Sequence, residues 1–418
     1  MVAQLTELRL PSFKSVKDAV IPITPLTLLV GRNGSGKSNA LDGLMVLSAL
    51  ATGRDLRSAL DGGAGGPVIR GGSEGCAPLG ETCFSLGCSV NSEGCDYLYD
   101  VEIETSPTLR VGSERLWTTR QSVPLDLLRT NWFTSDMQVS WNNQQPGPMP
   151  TIEIRPDQLA ITQAATRIPA TPAGLNVQRA AQSVLDAIGS VFMLEPEPRA
   201  MRSYVNENDF HLRRNSKNLS AVLKRLLADP ASRHILLELT RRLSEAQVSD
   251  LGTVSTPLGD VMATIVERIG GQNRPVPASL MSDGTLRFLA MVSASLDFQT
   301  EPAANRLLVV EELEDGLHPS QTAILVEHLV TMSNQGLATV ATTHSPVVLN
   351  SLPGAMHDSV IVATRDADGW SRFNRLTDFP NYFEVASRIS LGEAAVRNEL
   401  HPTAGDVRQT SLAELLDV

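Results

Sequence analysis

Apolar and polar residues alternate with the period of β-strands along the first thirty residues of the chain. Leu5 to Leu10 and Ala19 to Ile23 flank a turn, and Leu26 to Val30 is a short apolar run. Alternation is typical of half-buried strands, whereas a short apolar run bounded by turn residues is typical of a fully buried strand. From Lys37 to Leu50 the apolar residues take helical spacing. The N-terminal segment therefore predicts strands, a glycine-rich loop and a helix.

The middle of the chain changes character twice. Residues 53–80 are rich in glycine and predict a loop, and residues 119–150 are polar and predict an irregular insertion. Between them the alternation predicts an antiparallel meander with strands at Phe84 to Val90, Tyr97 to Ile103 and Leu109 to Leu116. Residues 172–270 carry apolar positions at helical spacing. The helices predicted there are Leu175 to Phe192, Leu219 to Leu227, Ser232 to Ala246 and Leu258 to Ile269.

Strand-like runs return near the C-terminus. Leu307 to Val310 and Leu337 to Thr342 each stand between helical segments, an alternation that favours an α/β sheet. A hairpin, Ser359 to Thr364 and Trp370 to Leu376, closes the sheet region, and a short helical tail follows. We expect a mixed sheet flanked by helices, with an antiparallel β subdomain and an inserted helical lobe. The expected division of the chain is 1–165, 166–278 and 279–418.

Composition narrows the class of protein. The 418 residues are 42% apolar and 19% charged, enough to form a large core. The longest aliphatic runs fall far short of the ~20 residues that a membrane helix needs. Charged residues interrupt the N-terminus, which therefore lacks the pattern of a secretory signal. We expect a cytoplasmic protein with no membrane partner.

The net charge is −11, so any nucleic-acid contact must be local. One stretch, 199–242, carries ten basic and four acidic residues, a local charge of +6. Two interpretations stay open for it: a solvated helical face, or a surface for DNA or another partner. The basic residues are Arg199, Arg202, Arg213, Arg214, Lys217, Lys224, Arg225, Arg233, Arg241 and Arg242.

The cysteines all lie within twenty residues of one another, at Cys76, Cys83, Cys88 and Cys95. Their spacings of six, four and six residues are wider than those of tight zinc knuckles. Buried or incidental thiols are favoured, with a metal site or a redox role as alternatives. The expected compartment disfavours a structural disulfide.

The loop after Leu26 to Val30 matches the phosphate-binding pattern G-x-x-x-x-G-K-[ST] in full, from Gly31 to Ser38. Its glycines let backbone N–H groups surround a phosphate. Lys37 would reach the β- and γ-phosphates of a nucleotide, and the Ser38 hydroxyl would bind Mg²⁺. The candidate phosphate-binding residues are Asn33, Gly34, Ser35, Gly36, Lys37, Ser38 and Asn39.

A phosphate loop of this kind needs a carboxylate that holds the metal at the end of another strand. Leu307 to Val310 is followed directly by Glu311 and Glu312. Burying two carboxylates is costly unless they bind something. Glu311 is therefore the candidate metal ligand, and Glu312 the candidate that orients and polarises an attacking water.

Four segments together resemble the SMC-like and RecF-like ABC ATPases, and among them the AAA-type ATPase domain of OLD-type (overcoming lysogenization defect) proteins. Glu311 to Pro319 resembles the E/D-E-P-E-x-G-L-H-P segment of that group, and Leu280 to Phe288 its L-S-D-G-T-L-R-F signature. Thr342 to Pro346 resembles its T-T-H-S-P switch. Phe13 to Val16 is similar to its opening segment. The resemblance covers most of the chain and implies a P-loop NTPase of the ABC-ATPase head type.

The resemblance also implies roles for single residues. Ser282, Asp283 and Gly284 would complete the ATP site of a second copy, so that ATP drives dimerisation. His344 would contact the γ-phosphate or the water. Gln163 is the candidate glutamine that senses Mg²⁺ and couples to the helical lobe.

Two departures and one ambiguity accompany the resemblance. Leu313 stands where the family usually has proline. Glu311 stands where the first acid is often aspartate. His318 fits either a loop that crosses a dimer interface or a helix cap.

Two functional hypotheses follow. In the first, the chain is an ATP-gated dimer that acts as a sensor for a separate effector, such as a nuclease or toxin, in antiphage defence. Only 72 residues follow Pro346, and the single D-x-D there, Asp366 to Asp368, fits a hairpin turn, so the Toprim nuclease of OLD-type proteins is not expected. In the second, it is a RecF-like ATPase that clamps DNA through residues 199–242. The 251 positions between Gly31 and Ser282 argue against a transporter ATPase.

Overall fold

The structure is a computed structural model that describes residues 3–62, 69–133, 136–243, 247–300 and 306–397. Its strands are β1 (Gln4–Phe13), β2 (Val16–Pro22), β3 (Leu26–Val30), β4 (Cys83–Ser92), β5 (Cys95–Glu104), β6 (Arg110–Arg120), β7 (Val123–Phe133), β8 (Asp136–Trp141), β9 (Thr151–Glu153), β10 (Val191–Leu194), β11 (Val205–Asn206), β12 (Gln247–Ser255), β13 (Asp260–Ile269), β14 (Gln272–Pro277), β15 (Leu307–Val310), β16 (Ala338–Thr343), β17 (Val360–Arg365) and β18 (Ser371–Arg375). Its helices are α1 (Lys37–Ala51), α2 (Leu56–Leu60), α3 (Ala160–Arg167), α4 (Pro172–Gly189), α5 (Pro198–Met201), α6 (Leu219–Leu226), α7 (Pro230–Leu243), α8 (Asp283–Thr300), α9 (Pro319–Asn334), α10 (Pro346–Asn350), α11 (Tyr382–Ala386) and α12 (Leu391–Arg397).

One long mixed sheet runs through the protein in the order β10-β15-β16-β3-β17-β18-β2-β1-β4-β5-β6-β7-β8-β9. The neighbours from β10 to β17 pair in parallel, and β1, β2 and β4 to β9 pair antiparallel with their neighbours among themselves. The predicted mixed α/β sheet with an antiparallel β subdomain is confirmed.

The parallel part of the sheet lies between two hydrophobic cores. Alternate residues of β3 point to opposite faces, so Leu29 packs in the core that contains α1 and α4, while Leu28 and Val30 pack in the core that contains α8 and α9. All residues of β3 and β15 are buried. Burial on both faces explains why these strands are apolar runs rather than alternating patterns.

The segment between α4 and α8 combines helices with a second, antiparallel sheet. β13 pairs with β12 on one side and with β11 and β14 on the other. The helix predicted from Leu258 to Ile269 is therefore wrong, because this segment forms the middle strand of the sheet, with Val261 to Ile265 buried. The division at residues 165 and 278 stays a prediction. β10 lies between those positions and belongs to the main sheet.

The irregular insertion expected at 119–150 is also wrong over most of its length. β7 and β8 extend the meander there, and β7 pairs with β6 on one side and β8 on the other. An antiparallel strand with one face in solvent carries polar residues on that face, which hid the strand pattern. Among the described residues, no helix is long and apolar enough to cross a membrane.

The cysteines lie too far apart to share one metal ion. Cys83 begins β4 and pairs with Glu104, whereas Cys95 begins β5 and pairs with Ser92 at the other end of the same hairpin. Nine residues of strand separate these ends by about 30 Å. Burial raises the pKa of Cys76 and Cys88 to about 12, which disfavours their thiolates as ligands.

A buried carboxylate joins the meander to α3. Glu114 in β6 accepts hydrogen bonds from the N–H groups of Ala160 (2.5 Å) and Ile161 (2.8 Å) at the start of that helix. Burial raises the pKa of Glu114 to about 7, and the two N–H donors oppose that rise. Glu114 therefore binds its proton more tightly in the folded protein than in the unfolded chain.

We expect this carboxyl to make stability fall as pH rises. Its pKa is raised on folding from 4.5 to about 7, so its contribution is complete below pH 4.5 and is lost as pH passes 7. Between pH 5 and pH 8 the parent should lose about 2 to 3 kcal/mol of unfolding free energy relative to Glu114→Gln. Urea unfolding at a series of pH values measures this, with Glu102→Gln, half-exposed on neighbouring β5, as the control. A difference between parent and Glu114→Gln that does not vary with pH would contradict it.

Candidate functional site

Three parallel strands end side by side at one edge of the main sheet. In the ladder, Val30 at the end of β3 lies opposite Thr343, and Val310 at the end of β15 lies opposite Ala341. The carboxyl ends of parallel strands share one edge, where loops collect functional groups. The phosphate loop, Glu311 and His344 leave these three ends.

Two glycines of the phosphate loop lie so close to neighbouring atoms that a side chain would not fit. A Cβ on Gly31 would lie 2.3 Å from the Ala363 carbonyl oxygen, and one on Gly36 would lie 2.1 Å from Ser371 Oγ. Gly36 also has φ +107°, which disfavours other residues. The Lys37 ammonium donates to the carbonyls of Gly31 and Arg32, and it is almost fully buried.

The opening turn at Lys14 and Ser15 braces the helix that follows the loop. Asn39 in the first turn of α1 donates to Ser15 Oγ at 2.7 Å, and Ser15 Oγ lies 2.8 Å from Ser371 Oγ. Lys14 forms an ion pair with Asp42, one turn further along α1, at 2.7 Å. Asn39 thus has a bracing role in this structure, which accounts for the Phe13 to Val16 segment noted in the sequence.

The side chains present fit a nucleotide with Mg²⁺. The Ser35 hydroxyl is buried and has no hydrogen-bond partner among the described residues, as expected of a donor meant for a phosphate. The Ser38 hydroxyl donates directly to Glu311 Oε1. Mg²⁺ prefers hard oxygen ligands and usually takes only one or two from protein, the rest being water and phosphate. Ser38 and Glu311 would be those two ligands.

Arg70 is a site residue that the sequence analysis missed. Its guanidinium lies 3.1 Å from Glu311 Oε2 and 3.4 Å from Asp42 Oδ1. It stands in the glycine-rich segment 53–80, whose only sequence signal was a loop. Arg365 was missed as well: it is the last residue of β17, and its guanidinium donates to the Gly34 carbonyl at 2.7 Å.

Glu312 takes a strained backbone conformation at the end of β15. Its φ of +51° costs about 1 kcal/mol in a non-glycine residue, and its N–H donates to Thr342 Oγ1 at 2.8 Å. Its side chain is exposed at the site edge. Leu313 donates its N–H to the Thr342 carbonyl at 3.0 Å, a hydrogen bond that the family's proline could not make.

His344 stands at the end of β16 against a carboxylate. Its backbone N–H donates to Glu314 Oε1 at 2.8 Å, and its Nδ1 lies 3.0 Å from the same oxygen. The imidazole is 41% exposed, and the Glu314 side chain is 11% exposed. His318 caps the N-terminus of α9 in a capping box with Gln321, so the structure supports the helix-cap alternative for this histidine.

The signature segment packs on the loop that follows Glu312. A Cβ on Gly284 would lie 2.5 Å from the Gly316 carbonyl oxygen, and Arg287 forms an ion pair with Asp315 at 2.8 Å. Ser282 Oγ accepts from the Thr285 N–H and is exposed at the start of α8. Asp283 forms an ion pair with Arg202.

The role predicted for Gln163 as a metal-sensing residue is wrong in this structure. Gln163 lies in α3, and its amide bonds to the backbone of Arg155 at 3.0 Å. α3 lies against Gly53, just past the C-terminus of α1. Ser38 is at the other end of α1, about 20 Å away at 1.5 Å per residue. Gln163 and Ser38 therefore cannot share one ion.

Most basic side chains of the stretch 199–242 are paired with carboxylates of the same chain, several of them at the surface. Seven of its ten basic side chains contact carboxylates, and Arg241 donates to two backbone carbonyls. Five of the seven carboxylates lie outside the stretch. The local charge of +6, counted within the stretch alone, therefore overstates the positive charge at this part of the protein. Arg225, for example, reaches the buried Asp297 in α8. The interpretation as a DNA surface loses its support.

A family model described as "AAA domain, putative AbiEii toxin, Type IV TA system" matches residues 26–350. The chain belongs to this family. The match spans the phosphate loop, the signature, Glu311 and Glu312, and the His344 switch. This AAA-domain family supports the assignment of a P-loop NTPase fold that the strand order and the phosphate loop already indicate. A comparison with curated proteins finds no match.

A comparison with solved structures finds SMC heads among those similar to this chain. An SMC head bound to the C-winged helix domain of ScpA is 14% identical with a TM-score of 0.47, covering 89% of this chain and 97% of that one. The SMC head of Thermotoga maritima is 15% identical with a TM-score of 0.43, covering 89% and 98%. The Pyrococcus furiosus Smc head, bound to the C-terminal domain of ScpA, is 12% identical with a TM-score of 0.47, covering 89% and 96%.

We expect Gly31→Ala to weaken nucleotide binding at least tenfold, because its Cβ would meet the Ala363 carbonyl at 2.3 Å and force the loop open. Titration with a fluorescent ATP analogue measures the dissociation constant. Gly34→Ala is the matched comparison: its φ of +80° also disfavours a side chain, but a Cβ there meets no atom within 4 Å, so it should cost less. Equal losses in the two variants would show that the close approach at Gly31 is not the cause.

Proposed function

We propose that this AAA-family protein binds ATP with Mg²⁺, hydrolyses it to ADP and phosphate, and dimerises around the bound nucleotide. The observation that carries the proposal is the direct contact between Ser38 and Glu311, residues 273 positions apart. That contact brings the phosphate loop and the acidic strand end together as one site. The exposed signature residues Ser282 and Asp283 and the buried Lys37 of the loop support it.

Each site residue has a separate proposed role in ATP binding or hydrolysis. The loop N–H groups and Lys37 would hold the phosphates, and Ser38 and Glu311 would hold Mg²⁺, which neutralises phosphate charge. Glu312 would orient and polarise the attacking water from its exposed position at the strand end. His344 would contact the γ-phosphate or that water.

The position of the signature residues supports the proposed dimerisation. Ser282 is exposed at the start of α8, where its hydroxyl and the helix N–H groups suit an anion. Gly284 and Asp283 are engaged with Gly316 and Arg202 of the same chain. We propose that Ser282, Asp283 and Gly284 complete the ATP site of a second copy, which leaves two sites at one interface.

We further propose that the dimer is a regulatory switch for a separate effector, a nuclease or toxin, in an antiphage or toxin–antitoxin system. The family description names a putative AbiEii toxin and a type IV TA system, and the four motifs resemble OLD-type proteins. Asp366, the first acid of the D-x-D segment, accepts from the N–H groups of Asp368 and Trp370 and from Arg372. These contacts support a turn-forming role for Asp366 rather than a nuclease metal site.

The RecF-like alternative, in which the chain clamps DNA, depended on residues 199–242. Arg213 pairs with Asp209 and Arg214 with Glu195, so neither offers a free charge to phosphates. Charge reversal of this pair should leave any DNA binding unchanged. Loss of salt-dependent DNA binding on that reversal would favour the alternative.

The test is the solution mass of Glu312→Gln with and without ATP and Mg²⁺, together with phosphate release by the unmutated chain. We expect the variant to bind ATP without turnover and to double its mass, because hydrolysis would otherwise release the dimer. Light scattering after gel filtration gives the mass.

Two variants on the Glu312→Gln background serve as controls. Lys37→Ala should prevent both ATP binding and the change in mass. Ser282→Arg should keep ATP binding and abolish only the change in mass, because it blocks the exposed signature. A mass that does not respond to ATP would overturn the ATP-driven dimer, and absent phosphate release by the parent would overturn hydrolysis.

A further inference from the structure

The order of strands in the main sheet determines which end of a nucleotide faces which side of the phosphate loop. Glu311, which contacts Ser38 and is the candidate metal ligand, follows β15. β15 lies two strands from β3, on the side of β16. A nucleotide carries its metal-bound phosphates and its base at opposite ends. A base would therefore lie on the other side of β3, where β17, β18 and β2 follow in that order.

Two turns stand on that side of the phosphate loop, at the same edge of the sheet. One joins β1 to β2 and contains Ser15, and the other joins β17 to β18 and ends at Trp370. β17 is parallel to β3 and continues three residues past the position opposite Val30, so the second turn extends beyond the strand ends. The Ser371 N–H donates to the Ser15 carbonyl at 2.7 Å, which joins the two turns.

Both chain neighbours of Trp370 are tied to the phosphate loop. On one side, Arg365 donates to the carbonyl of the residue before Trp370 and, at 2.7 Å, to the Gly34 carbonyl. On the other side, Ser371 Oγ lies so close to Gly36 that a Cβ on this glycine would be only 2.1 Å from it. The backbone of Trp370 is therefore held beside the loop from both directions.

Contacts within the turn also hold Trp370. The Trp370 N–H donates to Asp366 Oδ1 at 2.8 Å, and the Asp366 N–H donates to the Trp370 carbonyl at 2.9 Å. The Arg372 guanidinium donates to the same carboxylate at 2.8 Å. The Trp370 side chain is partly exposed, and the Lys17 ammonium lies over its ring, 5.4 Å from the centroid. This cation–π contact engages one face of the indole and supports its orientation.

We propose that Trp370 binds the base of the nucleotide, with the face of its indole that points away from Lys17 stacked on the purine ring. Stacking uses the π-face that every base has, so it is tolerant of base identity. Trp370 therefore favours a nucleotide over a bare polyphosphate without distinguishing adenine from guanine. This inference rests on the proposed function, since it assigns the base end of the same nucleotide site.

Inorganic tripolyphosphate tests the assignment, because it carries a chain of three phosphates without a base. With Mg²⁺ present, we expect Trp370→Ala to weaken ATP binding about tenfold and to leave tripolyphosphate binding unchanged. GTP should lose as much affinity as ATP. Trp370→Phe keeps an aromatic face and should recover most of the loss. Isothermal titration calorimetry gives the dissociation constants.

Trp117→Ala is the matched control. Trp117 is also partly exposed and also has a cation over its ring, the Arg115 guanidinium at 4.6 Å. It stands in β6, however, five strands from β18 in the sheet order. At about 4.8 Å per strand this places it roughly 24 Å from the turn that carries Trp370. Its removal should leave the affinities for ATP and for tripolyphosphate unchanged.

Tryptophan fluorescence gives a second readout of the same contact. ATP should change the emission of the parent and tripolyphosphate should not, and the ATP signal should disappear in Trp370→Phe but remain in Trp117→Phe. Equal losses of affinity for ATP and tripolyphosphate in a folded Trp370→Ala, or unchanged affinity for both, would overturn the assignment of the base. A parent that binds neither ligand would instead reject the proposed function, and the assignment of the base with it.

Discussion

The hydrogen-bonded ladder of β3, β15 and β16 is the constraint on which the rest of the site depends. These strands are parallel neighbours, and their interior residues pack into two cores, one on each face. A buried parallel ladder cannot slip by one residue without turning its side chains to the wrong core. The three carboxyl ends are therefore held in register. This register fixes the positions of the phosphate loop, the paired glutamates and His344.

The loop from Glu311 to Gly316 follows β15 and makes most of the contacts between the parts of the site. Glu311 contacts Ser38, Glu312 and Leu313 both bond to Thr342, and the last three residues contact His344, Arg287 and Gly284 in turn. A movement of this loop would therefore displace the metal ligand Glu311 and change the contacts of His344 and of the signature at the same time. The positive φ of Glu312 is consistent with a segment held by its surroundings rather than by its own preference.

Charge distribution in this chain follows tertiary pairing rather than sequence proximity. The positive stretch 199–242 meets carboxylates from α8, α9 and β12, and Arg70 crosses from a loop to the acidic strand end. Most of these pairs are partly exposed and add little stability singly. Their effect is to leave a net negative protein without the free basic face that the sequence pattern suggested.

The sequence alone could locate those residues whose function requires particular residue types at a fixed spacing. The phosphate loop needs glycine and lysine at set spacing, and the apolar strands before it and before Glu311 need burial, so Lys37, Ser38 and Glu311 could be located from the sequence alone. Local patterns could not distinguish the β13 strand from a helix, because a short apolar run fits either when its neighbours are unknown. Arg70, Glu314 and the placement of Gln163 depended on contacts between segments tens to hundreds of residues apart. Such contacts are decided only when the sheet forms, since they carry no periodic signal within their own segment.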